Sequence, residues 1–283
     1  MVKQATVFFG LCAALMSTVS RADDAAAPTD DAAPGKAVSS VRLLFLGDSL
    51  TSCSRVARDF ASAQLSFRRP LWALLGERKR TKCTAVVGPR SGCNSRVDGN
   101  LADKVATFPQ AHDAYFGRTL ESVLVEAARP SLTRRPAVVV AWLGLNDLMA
   151  GKSPDTVTHQ LRRLLRTLWA GGVRHVLLLT LPGVDPARGG RHRQRFVQVA
   201  QGAAQVNGAL RDAAFAADAA AKQVGDQTDA TGSMRIVDVA QGYDAARHTY
   251  DGLHPNDAGE AHVAAVVADA LEALLPADDA CAT

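Results

Sequence analysis

The sequence predicts an α/β domain in which one parallel sheet is covered by helices on both faces, and three observations support this. The chain has 283 residues, of which 47% are hydrophobic and 21% charged, so it can build one sizeable core. Between residues 41 and 275, short apolar runs alternate with longer amphipathic runs. Polar, glycine-containing segments directly follow several of the short runs, as expected where strands lead into helices.

Short apolar runs bounded by turn residues are typical of strands that are buried on both faces. The third such run contains Trp142, which we expect in the core rather than in a substrate-binding wall. Together the runs predict a five-stranded parallel sheet in a three-layer α/β/α sandwich. The five runs are Val41–Leu46, Thr84–Val87, Ala137–Leu143, Val173–Leu181 and Arg235–Val239.

Amphipathic segments between these runs predict the helices. Gly171 and Gly172 end one of them, because glycine readily adopts a left-handed conformation, and Asn256 and Asp257 are suited to cap the last. The predicted helices are Thr51–Ala63, Leu71–Lys79, Thr119–Arg129, Asp155–Ala170, a long helix within Arg193–Val224, and Asp257–Leu275.

The N-terminus has the pattern of a secretory signal peptide. Lys3 supplies positive charge, Ala5–Val19 is apolar, and Ser20 and Ala22 are small residues at the positions that define cleavage. We therefore expect a secreted or extracellular protein, with the periplasm as a further location, and no membrane span after cleavage. The predicted organisation is a signal peptide at 1–22, a flexible leader rich in Ala, Asp and Pro at 23–40, a single domain at 41–276 and a tail at 277–283.

The charge distribution does not indicate a nucleic-acid partner. Cleavage after residue 22 removes two positive charges and no acid, so the formal net charge falls from +4 to +2. Basic clusters at Arg68–Arg69, Arg78–Arg80 and Arg188–Arg195 lack interleaved aromatic residues. We interpret these clusters as solvated helix ends rather than as a binding patch for an anionic partner.

Four cysteines remain after cleavage, an even number that suits disulfides in an oxidising compartment. They allow three pairings, of which Cys83 with Cys93 closes the shortest loop. No C-x-x-C spacing or paired histidine accompanies them, so we expect no metal site and no cofactor. The four are Cys53, Cys83, Cys93 and Cys281.

Three polar segments follow separate strands, and parallel strands bring such segments to one edge of the sheet. They are Gly47-Asp48-Ser49-Leu50, Gly144-Leu145-Asn146-Asp147 and Asp251-Gly252-Leu253-His254. A serine hydroxyl becomes a good nucleophile when an imidazole takes its proton and a carboxylate orients that imidazole. Ser49, His254 and Asp251 fit these roles. Alternatively, Ser49 is only a helix cap, and Asp251 and His254 are surface residues beside another cap.

An oxyanion that forms in such a reaction needs hydrogen-bond donors. The backbone N–H of Ser49 and the side chain of Asn146 are suited to supply two of them. Asn146 is otherwise an ordinary turn residue after Gly144. A phosphate-binding loop ending in Gly151-Lys152-Ser153 is excluded, because Asn146 occupies the position of its required first glycine.

The chain resembles the SGNH, or GDSL, hydrolase family, and within it the acetylxylan-esterase-like branch of carbohydrate esterases. The resemblance spans Val41–Leu275 and rests on the GDSL segment, a glycine block, Gly144–Leu148 and Asp251–Gly259. It implies a flavodoxin-like fold with Ser49 as nucleophile, His254 as general base and Asp251 as its partner. An oxyanion hole of Ser49, Asn146 and a glycine is also implied.

Two segments are alternatives for the glycine block. His112–Leu120 resembles the His-Glu-Gly-Tyr-x-Gly-Trp-x-Ile stretch of that branch and offers Gly117, which we favour because it opens a predicted helix. Ser91–Asn94 offers Gly92 instead. Arg118 stands where the branch often has a bulky aromatic residue, which alters the expected shape of the substrate pocket.

The resulting expectation is a secreted serine esterase that removes small acyl groups, above all acetyl, from carbohydrate through an acyl-enzyme intermediate. Its activity should rise with pH as His254 loses its proton. One alternative is a lipid-directed esterase or lysophospholipase on the same scaffold. The other is a secreted carbohydrate-binding protein without turnover. The expected partner is an acyl ester or acetylated carbohydrate, and nothing in the sequence indicates an oligomeric state.

Overall fold

The computed structural model describes residues 40–52, 66–91, 108–127, 131–221 and 232–281. The predicted signal peptide and nearly all of the leader lie outside these ranges, as do most of the first predicted helix, Gly92 and the cysteines Cys53 and Cys93. Within the described ranges, no helix combines the length and apolarity that crossing a membrane requires.

One parallel sheet forms the centre of the domain, with the strand order β2-β1-β4-β5-β6. Each strand in this order was predicted, and the signal is clearest for β4, because a strand that is buried on both faces reads as a continuous apolar run. Residues Asp113–Ala114 form a further two-residue strand, β3, which pairs with Leu46 and Gly47 of β1. A strand this short has no periodicity and was not predicted. The others are β1 Val41–Gly47, β2 Thr84–Val87, β4 Val138–Trp142, β5 His175–Leu179 and β6 Ser233–Val237.

The helices fall into two packing groups, as a three-layer arrangement requires. Helix α9 (Asp257–Glu272) packs against α2 (Arg68–Glu77), and α5 (Pro154–Ala170) packs against α6 (Arg193–Arg211) and α7 (Ala213–Ala221). The helices are α1 Ser49–Ser52, α2 Arg68–Glu77, α3 Leu120–Ser122 with a π-helical continuation Val123–Ala127, α4 Leu145–Met149, α5 Pro154–Ala170, α6 Arg193–Arg211, α7 Ala213–Ala221, α8 Ala245–His248 and α9 Asp257–Glu272. Short 3-10 segments lie at Pro186–His192 and Asp278–Ala280.

The long helix predicted within Arg193–Val224 is present as α6, Arg193–Arg211, and it ends at Asp212. This residue is extended, with φ −70° and ψ 130°, and its carboxylate accepts the backbone N–H of Ala214 at 2.9 Å. An aspartate that caps the next helix competes with continuation of the preceding one. The short helix α7 that follows was not predicted separately, because Asp212 was not weighed as a cap.

The core is built around β4, the middle strand of the order. Every residue of β4 is buried, and Trp142 is fully buried with its indole N–H donating to the Thr180 carbonyl at 3.0 Å. This confirms that Trp142 is a core residue. Asn256 caps α9 as predicted, because its side chain accepts the Gly259 N–H at 3.1 Å.

Arg68 contradicts the prediction that the Arg68–Arg69 pair is a solvated helix end. Its side chain is buried, and its guanidinium donates to the carbonyls of Thr51, Ser52 and Gln110, each at 3.0 Å. Burial lowers the pKa of Arg68 to about 9, although the charge of Glu260 opposes this. Arg68 thus anchors the C-terminal end of helix α1 from inside the protein.

One disulfide joins Cys83, just before β2, to Cys281 near the C-terminus, with the Cα atoms 5.7 Å apart. The two cysteines are 198 positions apart, so neither spacing nor loop length selected this pairing over the alternatives. The bond attaches the end of the chain to the edge of the sheet.

Candidate active site

The candidate site lies where the strand order changes direction. Strands β1 and β4 are neighbours, with Gly47 opposite Trp142. The next strand after β1, β2, lies toward one edge of the sheet, and the next strand after β4, β5, lies toward the other edge. A crevice forms at such a point, beyond the carboxyl ends of the strands. The segments that leave β1 and β4 carry Ser49 and Asn146, so the topology itself brings these two residues together.

Ser49 begins helix α1 directly after β1. A Cβ on Gly47 would overlap the hydroxyl oxygen of Thr51, so the turn into the helix requires glycine there. The capping role belongs to Asp48, whose carboxylate accepts the backbone N–H of Leu50 at 2.9 Å. The Ser49 hydroxyl instead faces a histidine, which argues against its being only a cap.

The segment Asp251–His254 is held by its own hydrogen bonds. Oδ1 of Asp251 accepts the backbone N–H groups of Leu253 at 2.9 Å and His254 at 2.7 Å. Oδ2 lies 2.7 Å from Nδ1 of His254. Gly252 has φ +89°, a conformation that side chains disfavour, which allows the segment to turn back on itself. The carboxylate therefore fixes both the backbone and the imidazole of His254.

A connected relay runs from Asp251 through His254 to Ser49. Nε2 of His254 lies 3.1 Å from the Ser49 hydroxyl oxygen. Because Nδ1–H donates to the Asp251 carboxylate, Nε2 is the nitrogen left to accept the serine proton. Burial alone would raise the pKa of Asp251, but the hydrogen bond and charge of His254, with the two backbone N–H groups, lower it below its ordinary value. Asp251 is thus held in the ionised form that orients the imidazole.

Asn146 and Asp48 form a contact across the β1–β4 crevice. The Asn146 amide nitrogen donates to Oδ2 of Asp48 at 2.8 Å. An amide carries two N–H bonds, so one remains for another acceptor. Within the described part of the chain, no acceptor is found for the backbone N–H of Ser49 either. Asp48 therefore orients Asn146 beside the Ser49 backbone, a contact that the sequence did not reveal.

The glycine block is joined to the same crevice through Asp147. Its carboxylate accepts the backbone N–H of Leu120 at 2.9 Å, which links the start of helix α3 to helix α4. Gly117 has φ +71° and lies three residues before that helix, so the prediction that it opens the helix was wrong. Thr119 is the cap instead. Phe116 places the block near the relay, with its ring centroid 6.0 Å from that of His254.

Arg118 points into the protein rather than toward a substrate. Both Arg118 and Asp113 have side chains 2% exposed, and they form an ion pair at 2.8 Å. The Asp113 carboxylate also accepts the Ser131 hydroxyl, and the Arg118 guanidinium lies 4.5 Å from the Tyr115 ring centre. Arg118 and Asp113 thus form a buried ion pair within the segment His112–Leu120.

Two exposed aromatic residues flank His254. Phe116 is 42% exposed and Tyr250 is 36% exposed. The Tyr250 ring is stacked with the imidazole at a centroid distance of 5.9 Å and an interplanar angle of 16°. An accessible surface therefore borders the imidazole on the side of these two rings. Neither residue stood out in the sequence, because isolated aromatic residues are usually core.

Asp48 should make folding stability depend on pH. Burial raises its pKa from 3.8 to about 7, against the Leu50 hydrogen bond, the His254 charge and the Asn146 hydrogen bond. Between these values the unfolded chain loses the proton that the folded chain keeps, so the free energy of unfolding falls as pH rises. The upper limit of this loss is about 4 kcal/mol.

The substitution Asp48→Asn removes this titration. The difference in free energy of unfolding between the variant and wild type should therefore change in favour of the variant from about pH 4 to about pH 7. Denaturant unfolding of both proteins at the two pH values measures the effect. An advantage that stays constant with pH would contradict the raised pKa.

Among the residues that the structure describes, no group of three or more His, Cys, Asp or Glu side chains is arranged to hold a metal ion.

Comparison with known families agrees with this geometry. The family model described as GDSL-like Lipase/Acylhydrolase matches residues 43–267. The chain therefore belongs to the GDSL, or SGNH, hydrolase family, which confirms the resemblance seen in the sequence. A comparison with curated proteins gave no match.

Solved structures show the same fold at low sequence identity. A family 3 carbohydrate esterase from Talaromyces cellulolyticus has a TM-score of 0.61 at 19% identity, covering 83% of this chain and 97% of that one. A mutant acetyl esterase with an acetate ion has a TM-score of 0.62 at 17% identity, with the same coverage. A family 3 carbohydrate esterase from Clostridium thermocellum has a TM-score of 0.54 at 16% identity, covering 84% of this chain and 100% of that one.

Proposed function

We propose that this GDSL hydrolase is a serine esterase that removes small acyl groups, above all acetyl, from carbohydrate through an acyl-enzyme intermediate. The observation that carries the proposal is the relay in which Asp251 bonds Nδ1 of His254 and Nε2 of His254 meets the Ser49 hydroxyl. This is the arrangement by which a serine becomes a nucleophile at neutral pH.

In the first half of the reaction, the Ser49 oxygen attacks the ester carbonyl carbon while Nε2 of His254 takes the hydroxyl proton. The carbonyl oxygen then carries negative charge. The second amide N–H of Asn146 and the backbone N–H groups of Ser49 and Gly117 are the donors assigned to it. One donor of this kind contributes about 3 kcal/mol to the stability of such a transition state.

Collapse of this tetrahedral intermediate breaks the bond to the leaving alcohol, which receives the proton from His254 and departs. Water then attacks the acyl group on Ser49 and gives its proton to His254. The second intermediate releases the carboxylic acid and returns the proton to Ser49. Asp251 stabilises the positively charged imidazole in both halves without taking up the proton.

The position of Phe116 and Tyr250 supports carbohydrate as the leaving alcohol. Since His254 gives its proton to the leaving oxygen, groups that border the imidazole contact the alcohol part of the ester. Two exposed rings at that place suit a flat molecule with an apolar face, and the C–H face of a sugar ring has this character. We assign Phe116 and Tyr250 to the binding of that ring.

The choice of acetyl and the cellular location are further parts of the proposal. Two neighbours of this fold are described as a carbohydrate esterase and an acetyl esterase, and we extend that chemistry to this chain. The Cys83–Cys281 disulfide supports export to an oxidising compartment, outside the cell or in the periplasm. The signal peptide that would direct this export lies outside the described residues and stays a prediction.

The substrate assignment is tested by measuring acetate release from acetylated xylan oligosaccharides and from ethyl acetate. For Phe116→Ala and Tyr250→Ala, KM for the oligosaccharide should rise roughly fivefold each, because an aromatic contact contributes about 1 kcal/mol. Their kcat on ethyl acetate should stay near the wild-type value. Val125→Ala serves as the control, since Val125 is also an exposed apolar residue, at 78%.

The alternatives give different results in the same assays. Faster hydrolysis of octanoate than acetate esters of one alcohol would indicate the lipid-directed esterase instead. If the aromatic substitutions change the kinetics on both acetate substrates equally, these rings do not bind the sugar. Absence of turnover on every ester, with binding to oligosaccharide retained, would indicate the non-catalytic alternative.

A further inference from the structure

Arg188 holds the segment that precedes Asp251 and His254. It lies in the 3-10 segment Pro186–His192, on a different part of the chain from the relay residues. Its guanidinium donates to the carbonyls of Ala246 at 2.9 Å and of Thr249 and Tyr250 at 3.1 Å each. One side chain thus connects three carbonyls from the last turn of helix α8 to the residue directly before Asp251.

Asp185 provides a second attachment at the same place. Its backbone N–H donates to the Gly252 carbonyl at 2.8 Å, and its carboxylate lies 3.5 Å from Nε of Arg188. A Cβ on Gly252 would be 2.8 Å from both Cβ of Arg188 and the Asp185 carbonyl oxygen. The relay segment therefore packs closely on the turn at 185–188.

These contacts differ in kind from those inside the relay segment. The bonds between Asp251 and the backbone of Leu253 and His254 fix the shape of the segment, but they do not set its distance from Ser49. That distance depends on bonds to another part of the protein. Arg188 is suited to this task, because its planar guanidinium presents several N–H groups in a fixed fork and stays charged.

We propose that Arg188 is a positioning residue that keeps the Asp251–His254 segment where Nε2 of His254 reaches the Ser49 hydroxyl. This inference rests on the proposed function. It also gives a role to one member of the Arg188–Arg195 cluster, which the sequence placed at a solvated helix end. The neighbouring Arg191 donates a hydrogen bond to the ring of His192, at 3.0 Å, and not to the relay segment.

The test compares Arg188→Ala with Arg191→Ala on ethyl acetate. A small displacement of catalytic groups can reduce the rate by about 100-fold, so kcat of Arg188→Ala should fall by about 10- to 100-fold while KM changes little. Because the Arg188 side chain is 43% exposed, free guanidinium can enter the space that the substitution leaves. Millimolar guanidinium chloride should restore part of the lost kcat, whereas equal concentrations of urea or sodium chloride should not. Arg191→Ala should behave as wild type throughout.

A wild-type kcat for Arg188→Ala, or a lowered kcat that guanidinium does not restore, would overturn the inference. Should Arg188→Ala fail to fold, Arg188→Gln replaces it, since its single neutral amide cannot reach all three carbonyls; a wild-type kcat for that variant would also overturn the role. The proposed function is judged separately. It fails when wild-type enzyme shows no hydrolysis that depends on Ser49, whereas the Arg188 inference fails alone when that hydrolysis is present and insensitive to position 188.

Discussion

Replacing Ser49 by alanine is expected to reduce kcat for an acetate ester by about 10⁶-fold, because no other hydroxyl in the relay can form the acyl-enzyme. The fold should persist, since the Ser49 side chain makes its hydrogen bond to His254 and does not cap helix α1. Steady-state kinetics on ethyl acetate, together with thermal unfolding of both proteins, measures the two effects.

Ser52→Ala is the matched control for this substitution. Ser52 is a buried serine of the same helix, and its hydroxyl has no hydrogen-bond partner among the described residues. Its removal should leave kcat close to wild type. Retention of activity in Ser49→Ala, or equal loss in both variants, would mean that helix α1 contributes structure rather than the nucleophile.

The substitution Asp251→Asn should lower kcat by about 10⁴-fold with little effect on KM. An amide can still accept the backbone N–H groups of Leu253 and His254, so the segment keeps its shape. It no longer stabilises the charged imidazole or selects the tautomer with Nε2 free.

Asp244→Asn controls for the loss of a nearby carboxylate. Asp244 caps helix α8 by accepting the Ala246 N–H at 3.0 Å, a role that asparagine performs equally well. Its kcat should therefore be unchanged. A small loss in Asp251→Asn, comparable to that in the control, would show that Asp251 does not act in the relay.

The sequence predicted those parts of the fold that depend on local pattern. Strands such as Val138–Trp142 are buried on both faces, so their apolar runs are visible without any knowledge of the partners. The segments that carry Ser49 and Asn146 were located because each directly follows a strand, and the segment that carries Asp251 and His254 because it precedes the last helix. Asp212 and the two-residue strand Asp113–Ala114 were missed because a cap within a helical pattern and a very short strand leave little periodic signal.

Contacts between distant segments were beyond the reach of the sequence. Asp48 and Asn146 are 98 positions apart in the sequence, and Arg188 and Tyr250 are 62 positions apart. No rule of sequence spacing connects the members of either pair. Buried arginine is rare, so Arg68 was placed in solvent although it anchors helix α1. The choice of Cys281 as the partner of Cys83 likewise required the three-dimensional structure. Gly92, the alternative to Gly117, lies outside the described residues, and the assignment of Gly117 stays a prediction.

The most direct measurement of the central claim is covalent labelling with a fluorophosphonate, followed by peptide mass spectrometry to locate the adduct. A serine activated by the Asp251–His254 pair should react rapidly, with the label on Ser49, and the reaction should slow greatly in His254→Ala. An enzyme that hydrolyses acetate esters while Ser49 stays unlabelled, or that labels equally fast without His254, would contradict the account.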